Sequence, residues 1–211
     1  HVKISMIDTN TIKIIPRWEW RIFGDNFESA ESKIRKFNCF RIRDCHETYI
    51  LSRESNHNIK IRHELLDVKM LKNVDKNNLE QWHPIMKSPF PINQNSIDTL
   101  FSYANIPNVN HERSKYSYHQ FIHEIVKNHP KLIVVKVSKK RFGFIIDDVI
   151  VEIVELQIAN KSIRTIAVEH EDANLTLDMV IKLDLRQFDN TNYISCLKDF
   201  AGWNKNNRIT F

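Results

Sequence analysis

Two periodicities divide this chain. Over residues 11–23 a strand is predicted in which Arg17, Glu19 and Arg21 alternate with Trp18, Trp20 and Ile22, so that charges take one face and aromatics the other. Phe27, Ala30, Ile34 and Phe37 then keep the spacing of a helix with one buried stripe. Arg41 and Arg43 alternate with Phe40 and Ile42, and residues 46–52 read as a further strand. The alternation returns over 58–62, with Lys60 and Arg62 on one face, and over 66–71, with Asp67 and Lys69 together; 63–65 is the turn between them. Pro84, Pro89 and Pro91 break the segment after Trp82. Two helical patterns follow, one on Ile97, Leu100, Phe101 and Ala104, the other on Tyr118, Phe121, Ile122 and Ile125. Strand patterns resume over 132–137, 142–147, 149–156 and 163–171, the last placing Thr165, Ala167, Glu169 and Glu171 on one face. Helical patterns around Leu177, Val180 and Ile181, and around Tyr193, Ile194, Leu197 and Ala201, close the chain. The order of elements is that of an α+β protein.

Length and composition narrow the function. With 211 residues and 42% apolar content the chain can bury a substantial core, and a single domain over 1–211 is the simplest partition. The net charge of +5 favours anionic partners only where the positive charges converge. Cys39, Cys45 and Cys196 form no CxxC pair and no even-numbered framework, which argues against a zinc ribbon or disulfide scaffold and for a reducing, cytoplasmic setting. No apolar run approaches the roughly 18 residues that span a bilayer. The glycines, Gly24, Gly143 and Gly202, cannot assemble a glycine-rich phosphate loop or dinucleotide fingerprint. A phosphate site here must be built from side chains. Asparagine-rich stretches at 73–78 and 204–207 read as loop and tail.

A half-buried strand ordinarily turns its charges to water. Here several strands carry long basic side chains at alternate positions, while their opposite faces are apolar enough to need helices over them. Closing such a sheet turns the charged faces into a lumen, and unpaired cations buried there cost several kcal/mol each by order of magnitude. The lumen needs carboxylates, water or an anionic ligand.

The pattern Arg17-Trp18-Glu19-Trp20-Arg21, the basic strand Lys60-Ile61-Arg62, Lys69, and the late series Arg141, Glu152 and Glu169-His170-Glu171 resemble, in order and spacing, the CYTH or triphosphate tunnel metalloenzymes. That family includes inorganic and thiamine triphosphatases, class IV adenylate cyclases and fungal-type RNA triphosphatases. The resemblance implies an antiparallel β-barrel-like tunnel with helices packed outside. It also implies a metal-dependent phosphohydrolase acting on inorganic or nucleoside triphosphate. Glu19, Glu169 and Glu171 would be the catalytic carboxylates and would hold Mg²⁺ or Mn²⁺, which prefer oxygen ligands shared with substrate phosphates. Arg17, Arg21, Lys60, Arg62, Lys69, Lys136 and Arg141 would grip the phosphate chain, the guanidinium forks by paired hydrogen bonds. The chain departs from the family's opening ExExK signature, since Arg17 stands for its first glutamate and Arg21 for its lysine. A cation at position 17 strengthens anion binding at the expense of metal binding, so the alternative reading is a catalytically weak module that binds nucleotides, polyphosphate or RNA ends. The partner implied is a triphosphate-bearing small molecule, ahead of nucleic acid, with no membrane.

Other features have simpler readings. His119 and His123 lie four apart on a predicted helix, but without an HExxH motif they read as a solvated face. Alternation puts Trp18 and Trp20 in the core. Lys139, Lys140 and Arg141 divide evenly between a surface nucleic-acid patch and a tunnel mouth.

Overall fold

The computed structural model describes residues 15–203, so the start of the predicted first strand (11–14) and the tail at 204–207 lie outside the described residues. The elements are β1 (Arg17–Gly24), α1 (Glu28–Ile34), β2 (Cys39–Ser52), β3 (Asn58–Arg62), β4 (Leu65–Val74), β5 (Glu80–Pro89), β6 (Ile92–Asn93), α2 (Gln94–Ala104), β7 (Lys115–Tyr116), α3 (Tyr118–Gln120), β8 (Leu132–Ile146), β9 (Val149–Ile158), β10 (Lys161–His170), α4 (Ala173–Lys182) and α5 (Tyr193–Phe200). Eight strands close a barrel in the order β1-β10-β9-β8-β2-β3-β4-β5, and every neighbouring pair is antiparallel. Among the described residues no helix is long and apolar enough to cross a membrane.

Glycine is nearly absent from the hairpins, so other residues take the left-handed backbone they require. His63 and Glu64 (φ 51° and 53°) turn β3 into β4, and Asp147 and Asp148 (φ 48° and 65°) turn β8 into β9. Helix starts are fixed by side chains. Asn93 accepts from the Ser96 amide, Asn192 from Ser195, and Asp172 from Asn174 and Leu175, each cap stabilising by about 1 kcal/mol.

Three apolar clusters organise the packing. Trp20, Ile22, Val151, Ile153, Ile166 and Val168 turn outward from the barrel against Phe27 and Ile34 of the α1 region and Val180 of α4. Ile50, Ile59, Ile61, Leu66 and Val68 do the same beneath Leu100, Phe101, Phe121 and Ile122. The third cluster sits inside. Tyr49, Leu51, Val137, Val154, Leu156 and Ile163 meet Tyr193, Ile194 and Leu197 of α5. Because Tyr49 and Leu51 share a face with Glu47, and Val154 with Glu152, the inner wall passes from charged to apolar along each strand. The amphipathic α5 closes the apolar end.

Several local predictions are corrected. The two segments foreseen at 132–137 and 142–147 are one continuous strand, β8. The strand β5 runs through Pro84, which faces Lys69 where the β4–β5 register shifts, a place where a missing amide donor is tolerated. The helix foreseen around Tyr118 begins as α3 behind a Ser117–Gln120 capping box, then widens into a π-helical segment, Phe121–Val126.

Candidate functional site

The deepest charged group in the lumen is Glu47, only 2% exposed. Its carboxylate lies 2.5 Å from Lys139 Nζ, 3.2 Å from Arg62 Nη1 and 3.8 Å from Lys60 Nζ. It also accepts from the Tyr49 hydroxyl at 3.1 Å, and Lys139 donates to that hydroxyl at 2.8 Å. Burial alone would raise the Glu47 carboxyl, but Lys139, Lys60 and Arg62 outweigh it and hold the group well below the usual carboxylate range. Burial draws Lys139 down to about 7 although Glu47 opposes the shift. Lys60 is lowered for the same reason.

Beside this cluster runs a second chain of charges. Arg21 donates to Glu19 at 2.7 Å and to Thr165 Oγ1 at 3.1 Å, and lies 3.8 Å from Glu152. Arg141 binds Glu152 through Nε at 3.0 Å and Nη2 at 2.5 Å. Burial works against both guanidiniums, yet their glutamate partners keep them raised. Glu152 is lowered because Arg21 and Arg141 overcome its burial. Buried ion pairs gain little net stability once desolvation is counted, so this lattice is better explained by what it can bind than by what it holds together.

The floor of the lumen is Tyr193 from α5. Lys139 Nζ stands 3.7 Å from the centre of its ring and the Arg21 guanidinium 4.6 Å, while Tyr49 stacks against it at 5.7 Å. The Tyr193 hydroxyl is buried and has no hydrogen-bond partner, although Arg21, Glu152, Glu47 and Arg141 all act on it electrostatically. An unmatched buried donor costs on the order of 1–3 kcal/mol, and an acceptor brought into the lumen would remove that cost.

Toward the open end, Glu19 lies directly across from Glu169 on β10 and from Glu80 on β5. Burial raises Glu169, and the neighbouring Glu19 raises it further while Arg17 opposes. Burial also raises Glu80, with Glu19 adding to it. Carboxylates that repel one another in this way favour a shared cation. Among the described residues no three His, Cys, Asp or Glu side chains converge closely enough to hold a metal by themselves. Mg²⁺ usually takes one or two carboxylates and completes its shell with water and phosphate, and Glu19 and Glu169, paired across β1 and β10, are two such groups. Arg17 already donates to Glu169 at 3.2 Å.

No protein-family model matches the chain, and no curated protein matches it in sequence. Solved structures do match. The putative adenylyl cyclase HpAC1 from Hippeastrum, described as having a dominant triphosphatase activity, is 9% identical, with 88% of this chain and 96% of that one covered at a TM-score of 0.47. The PH1012 protein of Pyrococcus horikoshii OT3 is 16% identical, covering 83% and 97% at 0.49. A putative adenylate cyclase of Bacillus halodurans, bh2851, is 12% identical, covering 86% and 97% at 0.47. All three span most of this chain.

The structure brings Glu19, Arg21, Lys60, Arg62, Lys69, Arg141 and Glu169 to the lumen, with Arg17 at its mouth; Lys69 acts electrostatically on both Lys60 and Glu169. It does not bring Lys136 or Glu171. Lys136 is exposed on the opposite face of β8, lining a groove of about 500 Å³ with His46, Ser138 and Gln157. It is offset by an odd number of positions from Lys139 and Arg141, which turn inward. Glu171 is exposed beyond the end of β10, because the Asp172 cap of α4 terminates the strand at His170. Sequence reasoning missed Glu47, Glu80, Lys139 as a lumenal residue, and Tyr193. For Glu47 and Tyr49 the available signal was their shared parity with Arg41 and Arg43.

Proposed function

We propose that the tunnel binds a triphosphate and hydrolyses it with the aid of Mg²⁺ or Mn²⁺. The observation that carries this reading is the convergence of Arg21, Lys60, Arg62, Lys139 and Arg141 on one closed-ended lumen, where a buried Tyr193 hydroxyl lacks an acceptor. Arg17, at the mouth, meets the incoming phosphate chain first, and the partly exposed Arg62 and Lys69 lie beyond it. Arg21 and Arg141, oriented by Glu19 and Glu152, present rigid guanidinium forks to its oxygens. Glu19 and Glu169 would hold the cation, which supplies further neutralisation of phosphate charge. Closure of the barrel by α5 excludes bulk water, strengthening each of these interactions. The chemical step is transfer of the terminal phosphoryl group to water, with the remaining diphosphate as leaving group. In such a step positioning and charge neutralisation provide most of the catalysis.

The test is a screen of inorganic triphosphate, ATP, GTP and thiamine triphosphate for orthophosphate and pyrophosphate release, with Mg²⁺ and with Mn²⁺. Orthophosphate release supports the hydrolase. Pyrophosphate released together with a cyclic nucleotide would make it a cyclase. A second reading, a binding module without turnover, is favoured by the Arg17–Glu169 ion pair, which occupies one of the cation's two carboxylates. Binding without release of either product selects it.

A further inference from the structure

We propose that the open rim of the tunnel carries a stacking subsite for the base of a nucleoside triphosphate, formed by Phe40 lying over Gly143. The proposal rests on the triphosphate reading of the lumen and specifies the organic end of the ligand.

The register between β2 and β8 pairs Cys39 with Phe144 but Arg41 with Gly143, so Phe40 is the extra residue of a β-bulge. A bulge re-aims side chains. Here it turns the Phe40 ring across Gly143, an inward position two residues from Arg141. A Cβ on Gly143 would lie 3.2 Å from two atoms of that ring, so the glycine lets the ring sit a few tenths of an ångström closer to the strand than a side chain there would. Phe40 is nonetheless 48% exposed, and Ile145, next along the same face of β8 and paired with Ile150 of β9, is 56% exposed. Large apolar groups left open at the mouth of a polyanion site need a reason.

Their neighbours supply one. The Arg41 guanidinium stands 5.4 Å from the centre of the Phe40 ring, a planar cation in the place of a planar base, which an incoming base would displace toward the phosphates. One step further in, Arg43 and Arg141 face each other across the β2–β8 pair. At about 3.4 Å per residue the two levels are roughly 7 Å apart, a gap that a ribose bridges between base and phosphates. Burial and the neighbouring Arg141 and Arg41 lower the Arg43 guanidinium, so cations crowd this level although Glu152 partners Arg141. Stacking uses a face that every base has, so adenine and guanine nucleotides should be held alike.

The experiment is calorimetric titration of ATP, GTP and inorganic triphosphate, each with Mg²⁺, into the wild type, Phe40→Ala and Phe40→Trp. Phe40→Ala should weaken ATP and GTP about tenfold, a typical loss for one stacked base, and leave inorganic triphosphate within twofold; Phe40→Trp should restore nucleotide binding. Equal losses for all three ligands, or none for any, overturn the subsite but leave the triphosphate reading standing. A wild type that binds none of the three overturns both. If Phe40→Ala changes the oligomeric state and no affinity, Phe40 serves contact between copies and the proposal is wrong.

Discussion

Replacing Glu47 with Gln removes the one negative charge shared by Lys60, Arg62 and Lys139 while keeping the side chain's size and much of its hydrogen bonding. Breaking a buried ion pair from one side costs about 3–5 kcal/mol, because the remaining charges lose their partner. We take the lower end, about 3 kcal/mol, because Lys139 can release its proton. That release makes the cost depend on pH. The folded Lys139 titrates near 7, below its ordinary value of 10.5. Below pH 7 it is charged in the wild type and depends on Glu47; by pH 9 it is already neutral, and losing Glu47 should cost only about 1 kcal/mol. With each kcal/mol worth about 2–4 °C in a chain of this size, thermal denaturation should show a loss of roughly 6–12 °C at pH 6, shrinking to a few degrees at pH 9. The same linkage gives the wild type a rising stability between pH 7 and 10.5, since there the unfolded chain binds the proton that folded Lys139 has lost. A Glu47→Gln penalty that is flat across this pH range would refute the account of the cluster.

Four further outcomes follow from the same geometry. Glu19→Gln should lower metal-dependent phosphate release at least a hundredfold while preserving metal-free triphosphate binding, whereas Glu171→Gln, beyond the strand end, should change either by less than about twofold. Arg17→Glu should weaken metal-free triphosphate binding and raise metal-dependent turnover, since it frees Glu169 and adds an oxygen ligand; kinetics unchanged in both respects would place Arg17 outside the site. Tyr193→Phe should leave the melting temperature level or slightly raised, because it deletes an unmatched buried donor, yet weaken triphosphate binding several-fold by calorimetry. Triphosphate affinity of the wild type should fall as pH rises through about 7 and Lys139 loses its charge, and a flat affinity profile would exclude Lys139 from the binding field.

Much of the charged lining was legible because strand alternation is a strict rule, while closure into a barrel was what the family resemblance implied. Arg17, Glu19 and Arg21 lie on one face at the residues where the pattern put them, and so do Lys60 and Arg62. What stayed hidden depended on register and on ends. Among the basic residues of β8, pattern alone could not say whether Lys136 and Lys140 or Lys139 and Arg141 face inward, because pairing with β2 sets that parity. Glu47 sits in a strand that reads as apolar, and its function appears only when two other strands, β3 and β8, bring it cations. Glu171 satisfies the alternation of β10, but Asp172 starts a helix and ends the strand first. Glu80 lies just before the segment that the prolines were expected to break, where no strand was predicted, and only its pairing with Val74 and Glu19 places it in the wall. No local pattern reveals that α5 enters the barrel and sets Tyr193 as its floor.

The central claim is that the lumen is a triphosphate site. It is tested most directly by titrating inorganic triphosphate, without metal, into the wild type and into the Arg21→Ala and Arg141→Ala variants, with circular dichroism confirming that each is folded. The account predicts one site per chain in the micromolar range for the wild type, and a loss of about tenfold or more in each variant, as befits a charge-assisted contact. No binding by the wild type, or binding that both folded variants retain in full, would contradict it.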